Sequence, residues 1–403
     1  MPPGREKEEF LSITMNAHMG RKGHMPYITD ELTGALKKLP LYGLDEQEQL
    51  LFLSHYTRHA RKPVSVLIKG QSSSGKSHTM ATVSRFFDPN DFIFFSGMSE
   101  KAFINSDIDY HNRTLMFGEY SGVKSSEGDT FLRQAMTDHS VSRLVSSKNS
   151  DGNYIAIKQE INAKFNIFMT TTEQSIHPED ENRFLSFAIP NDPGYIQGVN
   201  EIQADYLNGE ITEEVDFDYW HKKSEWFKNN IKPVKINYMK DIIATCSNQN
   251  QSRLTRDIQK IFSLIEVLAI FSQEEKEKDR KGNILSDFGD YREIYNIINK
   301  CCESSHRYTS PLIKELSEFV RYMNVENERM PSNYDVQGYF NWSKSRTSRN
   351  CKKAVDLGYI LNHSIPGEEN QFEYVEERKD KNSFLPTPSE VIKHMHTSEA
   401  AWS

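Results

Sequence analysis

Cysteine is scarce in this sequence: four in 403 residues (Cys246, Cys301, Cys302 and Cys351), with neither a CxxC spacing nor a paired disulfide layout. That argues against a zinc site and a secreted disulfide scaffold, and fits thiols kept reduced in a cytoplasm. No run of about 18 apolar residues occurs, so no membrane span is expected. The opening MPPGREKEEF carries charge with no apolar core behind it, unlike a secretory signal. A basic excess is missing as well. The net charge of -8 argues against a protein that coats nucleic acid through bulk positive charge. A local basic patch, such as one on the inner loops of a ring, would vanish in that whole-chain sum. Internal repeats are also absent.

What is present is the material of a folded protein: 37% hydrophobic and 26% charged residues, with aromatics spread along the chain. Its length suggests two or three domains. Residues 1–60 read as a helical lead-in, with LDEQEQLLFLSHYTRHA at helical spacing. Over 61–205, apolar runs recur as PVSVLIKG, DFIFFSG, RTLMFGEY, FNIFMTTT and FLSFAIP, separated by helical or loop segments. Such alternation predicts an α/β sheet covered on both faces. Residues 206–325 read as a helical lid and connector, 331–377 as a small separate unit, and 378–403, polar with Pro386 and Pro388, as a disordered tail.

The most specific motif is GQSSSGKS, a match to G-x-x-x-x-G-K-[ST] placed between a predicted strand and a predicted helix. Gly70, Gln71, Ser72, Ser73, Ser74 and Gly75 would wrap backbone amides around the phosphates of ATP, with His78 following in the helix. Lys76 would neutralise the β- and γ-phosphates, and the Ser77 hydroxyl would bind Mg²⁺. RTLMFGEY is the next strand to end in an acid, so Glu119 is the candidate to orient the attacking water. Gly118 stands where an Asp usually precedes that Glu, which thins the surroundings of the metal and points toward slower hydrolysis. In FNIFMTTT, either Thr170 or Thr171 is placed to sense the γ-phosphate; threonine also simply suits strands.

Taken together with SGMSEKAFI, FLRQAMTDHSVSRLV, FMTTTEQSIHPEDENRFLSF and RLTRDIQKIFSLIEVLAIF, these segments resemble the AAA+ helicase part of the primase-helicases of phages and bacterial mobile elements. They are similar also to the motor of the mini-chromosome maintenance helicases. The resemblance runs over roughly residues 39–299 and implies an AAA+ P-loop ATPase domain. It implies that Arg183 is an arginine finger reaching a neighbouring subunit's nucleotide, and that Arg256 is a second sensor arginine at the nucleotide. A structural ion pair is the other reading of each. VSRLVSSKNSDGNYIAIKQEI carries a hairpin signal around residues 149–152. In the families named, a hairpin here projects into the ring pore, which would let Lys148, Arg143 and Lys158 grip the phosphates of single-stranded DNA. The sequence has no zinc-finger run and no primase domain ahead of the motor, so priming would fall to a separate primase.

In the C-terminal unit, DVQGYFN, a WSKS turn, RTSRNCKKAVDLG and two short strands read as a winged helix-turn-helix, with Leu357 and Gly358 closing its second helix. That helix carries Arg346, Arg349, Lys352 and Lys353, which suit duplex DNA; docking to a protein is the other use of such a unit. The function expected is an ATP-driven ring, a homo-hexamer, that unwinds DNA in replication of a mobile element or phage. An ATP-switched origin-opening or loader factor, and a sequence-specific DNA-binding regulator whose oligomer is set by nucleotide, are the alternatives.

Overall fold

The computed structural model describes residues 27–98, 100–120, 128–148, 151, 153–173, 176, 178–246, 252–307, 311–356, 359–363, 369–375 and 385–400. Its elements begin with α1 (Ile28–Leu36), α2 (Asp45–Tyr56), β1 (Ser65–Lys69), α3 (Lys76–Ser84), β2 (Phe92–Phe95), α4 (Glu100–Asn105) and β3 (Thr114–Phe117). Next come α5 (Gly128–Asp138), β4 (Ser140–Lys148), β5 (Tyr154–Asn162), β6 (Asn166–Thr171), α6 (Pro178–Glu181), β7 (Phe184–Ala188), α7 (Pro193–Leu207) and α8 (Phe217–Asn229). There follow β8 (Val234–Lys235), α9 (Met239–Thr245), α10 (Ser252–Phe271), β9 (Ile284–Leu285) and α11 (Phe288–Arg307). The chain ends with α12 (Pro311–Val325), α13 (Asn333–Phe340), α14 (Lys344–Asp356), β10 (Ile360–Asn362), β11 (Phe372–Tyr374) and α15 (Pro388–Ala400).

The five apolar runs become five parallel strands in the order β2-β3-β6-β1-β7. Every residue of β1, β3 and β6 is buried, as parallel strands covered on both faces require. Strand periodicity sorts their side chains between two cores. Val66, Ile68, Met116 and Phe168 join α1, α2, α3, α10 and α11 on one face, while Leu67, Leu115, Phe117, Ile167 and Met169 join Phe103, Ile104 and Ala135 on the other. The strand β6 fills the slot between β1 and β3, so the chain leaves the sheet after β3, forms α5 and the antiparallel β4–β5 hairpin, and returns.

The expected lead-in is more than a lead-in: Leu50 to Leu53 and Tyr56 of α2 are fully enclosed in the larger core. Two expectations are corrected. The tail does not run on unstructured after 378, because Leu385 and Val391 are buried in that same core and α15 packs on α9. The helix α12, expected in the lid, belongs instead to a second compact unit, residues 306–383. There Ile313, Leu316 and Val320 of α12 share a core with Val336, Trp342, Cys351, Ile360 and Phe372. Helical periodicity marks an apolar stripe but does not name the partner that covers it. Among its described residues this unit holds α12, α13, α14 and the β10–β11 ladder, and Ser332 caps α13 in a reciprocal box with Asp335. Cys246, Cys301 and Cys351 are buried free thiols, and burial pushes Cys246 up to about 11 and Cys351 up to about 12. Among the described residues, no helix is long and apolar enough to cross a membrane.

Candidate nucleotide and DNA sites

The carboxyl ends of β1, β3 and β6 converge on one edge of the sheet, where open α/β sheets bind ligands. The strand β1 enters the Gly70–Gly75 loop, whose geometry disfavours ordinary residues at two points, by crowding at one and by backbone conformation at the other. A Cβ on Gly70 would lie 2.5 Å from the Ser74 hydroxyl, and Gly75 turns at φ +90° to open α3. Ser73 also takes a positive φ. Lys76, 6% exposed, curls back to donate to the carbonyls of Gly70 (3.0 Å) and Gln71 (2.6 Å). The Ser74 hydroxyl is buried without a protein partner, and Ser77 and His78 are exposed at the first turn of α3. Backbone turned inward, a buried ammonium and an unanswered hydroxyl at a helix N-terminus make a cradle that fits a phosphate chain.

Beside the loop lies a cavity of about 410 Å³ that sequence reasoning missed. Its apolar wall is Leu41, Tyr42, Tyr195, Ile196 and Val199, opposite Gln71 to Gly75, His78 and Thr79. Tyr42 rests on α7 because Gly198 has no side chain there; a Cβ would lie 2.1 Å from the Tyr42 ring. Asp192 caps α7 by accepting from the Tyr195 amide at 3.1 Å, which fixes the wall. A buried Glu48 sits behind Tyr195: burial, then Asp45, push its carboxyl up to about 8, and burial, then Glu48, raise the Tyr195 phenol.

Glu119 follows β3, half-buried, and accepts from the Thr172 amide at 3.3 Å. Burial pulls the Lys76 ammonium below its ordinary pKa while the nearby Glu119 carboxylate opposes the shift. Thr170 donates to the Gly118 carbonyl, whereas the Thr171 hydroxyl is turned away to accept from the Glu173 amide at 3.0 Å. Thr170 is therefore the threonine aimed at the acid's segment, and Thr171 closes a local turn. A Cβ on Gly118 would meet nothing within 4 Å, so space does not explain the missing Asp.

Arg183 immediately precedes β7 outside the phosphate cradle, its guanidinium held on α5 by the Arg133 carbonyl (3.3 Å) and the Thr137 hydroxyl. Arg256 is exposed on α10 and does not line the cavity beside the phosphate loop, where the resemblance had placed a sensor. One turn further along α10, Lys260 donates to the carbonyls of Asn182 and Phe184, both at 2.9 Å, on either side of Arg183.

On the hairpin, antiparallel register puts Lys148 opposite Tyr154 and Leu144 opposite Lys158 on one face, with Arg143 opposite Gln159 on the other. The expected trio is therefore divided between the two faces. Arg143 is tied to Gln159 (2.9 Å) and to Asn105 of α4 (3.0 Å), while Lys158 pairs with Glu160. Lys148 lies 5.3 Å from the centre of the Tyr154 ring, and Tyr154 is 73% exposed. Counting ladder pairs back from the predicted turn would have found that tyrosine. Residues 149, 150 and 152 of the expected tip lie outside the described residues.

In the second unit, Arg346, Arg349 and Lys352 are exposed and Lys353 is half-buried on α14, opposite the buried Thr347, Cys351 and Ala354. Arg346 stacks at 5.2 Å on Trp342. Leu357 and Gly358 lie outside the described residues.

No protein-family model matches the chain, and no curated protein does. Among solved structures, it is similar to a full-length MCM homolog from Methanopyrus kandleri, with 12% identity and a TM-score of 0.43 over 76% of this chain and 63% of that one. The chain thus spans less than two thirds of that homolog. It is also similar to the active helicase Cch of SCCmec type IV, with 12% identity, a TM-score of 0.34 and coverage of 87% and 71%. A third is NtrX from Brucella abortus in complex with ADP, at 12% identity, a TM-score of 0.29 and coverage of 82% and 72%.

Proposed function

We propose that this chain is an AAA+ ATPase and the motor of a ring-shaped DNA helicase, a homo-hexamer serving replication of a mobile element or phage. The observation that carries the reading is the phosphate cradle at Gly70–Ser77 with Glu119 close enough to influence Lys76. In this account the cradle amides and Lys76 hold the triphosphate of ATP, and the wall of Tyr42, Tyr195 and Ile196 takes its base. Ser77 would hold Mg²⁺, which would supply charge neutralisation at the phosphates. Glu119 orients a water and takes its proton as the water oxygen bonds to the γ-phosphorus; the bond to the β-bridging oxygen breaks and ADP leaves. Thr170 steadies the Glu119 segment through Gly118.

Arg183 faces the nucleotide of the next subunit, where a guanidinium stabilises transferring charge, and Arg256 is the second sensor arginine. Lys148 grips DNA phosphates in the pore and Tyr154 offers a face on which a base stacks. The cations of α14 suit duplex DNA, and a separate primase supplies primers. The open space at Gly118 favours a second reading, an ATP-switched loader with slow turnover. A Gly118→Asp variant that speeds hydrolysis supports the idea that this position throttles the site.

The test is displacement of one strand of a forked duplex by the purified protein. The motor reading predicts ATP-dependent displacement lost in Lys76→Ala and in Lys148→Ala. Displacement without ATP, or by the Lys76→Ala protein, contradicts it.

A further inference from the structure

The six residues from Pro178 to Arg183 join parts of the motor unit that are far apart in sequence. Asp180, 5% exposed, accepts from the Tyr120 hydroxyl at 2.9 Å and receives the Arg133 fork through Nε and through Nη2 at 2.9 Å. Tyr120 directly follows Glu119. Arg133 lies in α5, which runs into the β4–β5 hairpin after one residue. Glu181 takes the ammonium of Lys69, the residue before Gly70. Lys260 of α10 holds the carbonyls of Asn182 and Phe184, and Arg183 returns to α5 at Thr137. A forked ion pair on a buried carboxylate is specific in geometry, and a displacement of the half-buried Arg133 is transmitted because Asp180 cannot be left unpaired in the interior.

We infer that Asp180 and Tyr120 are positioning residues that couple the hairpin to the hydrolytic Glu119. Nucleic acid held on the hairpin shifts β4 and α5, Arg133 carries Asp180 with it, and Asp180 moves Tyr120 and so the neighbouring Glu119. The same segment reports to the phosphate loop through Glu181 and Lys69, and to the edge that presents Arg183. This rests on the motor reading, since it requires ATP turnover that responds to nucleic acid.

The test is Tyr120→Phe in the full chain, which keeps the ring in the core and removes only the hydroxyl facing Asp180. ATP turnover is measured with and without single-stranded DNA. Basal turnover is expected to stay within about twofold, while the stimulation factor falls by about fivefold or more, the lower end of ordinary coupling between sites. Arg133→Lys, which keeps the charge and loses the fork, is expected to lower the same factor, with no further loss in the double variant. A part that only stabilises the fold would lower basal and stimulated rates in proportion. Proportional loss, or an unchanged factor in Tyr120→Phe, overturns the inference and leaves the motor reading standing. A wild-type chain with no DNA-stimulated turnover overturns both.

Discussion

Single residues decide the nucleotide cavity as much as the phosphate motif does. Gly198 is the clearest case, because its missing side chain is what lets Tyr42 lie against α7. In Gly198→Ala the ring must move, at the roughly 1–3 kcal/mol typical of overpacking. Weaker ATP binding in a fluorescent-analogue titration, by about tenfold, is the expected outcome, and wild-type affinity would contradict the assignment of this wall. Glu48 makes a second prediction. Its folded pKa, about 8, lies above the ordinary 4.5 because of burial, so its contribution to stability is complete below pH 4.5 and is lost as pH rises through 8. Glu48→Gln should therefore flatten the fall in melting temperature between pH 6.5 and 8 and melt higher than wild type at pH 8. Parallel curves for the two proteins would show that Glu48 is not the titrating group. Neither Gly198 nor Glu48 was legible beforehand. A glycine in a helix and a glutamate in its first turn look ordinary until the residues that meet them are known, and those lie about 150 positions away. The loop that holds Lys76 was legible as a loop because its neighbours in sequence, Gly70 and Gln71, are also its neighbours in space.

Elements were readable where one period ran uninterrupted. The runs SVLIK, TLMF and NIFMTT carry apolar residues on both faces, and they became the buried strands expected of them. The hairpin was equally visible as two alternating runs, but which cations share a face depends on register, and a one-residue difference in counting moves Arg143 to the other side. The tail misled because PTPSE and the histidines of KHMH give it a polar look, although Leu385 and Val391 are enough to dock α15 on the core. Burying each such side chain contributes about 1.5–3 kcal/mol. Removal of residues 385–403 should then lower the melting temperature of the larger unit by several degrees, as read by calorimetry. An unchanged transition would mean that α15 adds nothing to that core.

At the scale of the whole molecule, the fold is a parallel α/β sheet joined in sequence to a smaller unit of three helices and a two-stranded ladder. A single chain brings Lys76, Ser77 and Glu119 to one edge and carries Arg183 elsewhere, so the account needs a second copy to complete hydrolysis. Arg183→Ala should bind ATP normally and lose turnover by about a thousandfold, the usual worth of such an arginine. Mixing it with Lys76→Ala, which retains Arg183, should restore part of the activity, since some interfaces then pair an intact cradle with an intact finger. Absence of any recovery in a titration of one variant into the other would argue that Arg183 serves only its own chain, through Thr137.

The central claim is a DNA-driven ATPase, and its most direct test is the ATP hydrolysis rate of the purified protein with and without single-stranded DNA, alongside Glu119→Gln. The account predicts turnover raised by DNA and abolished in the variant with nucleotide binding intact. Slow turnover indifferent to DNA, or turnover that survives in Glu119→Gln, would contradict it.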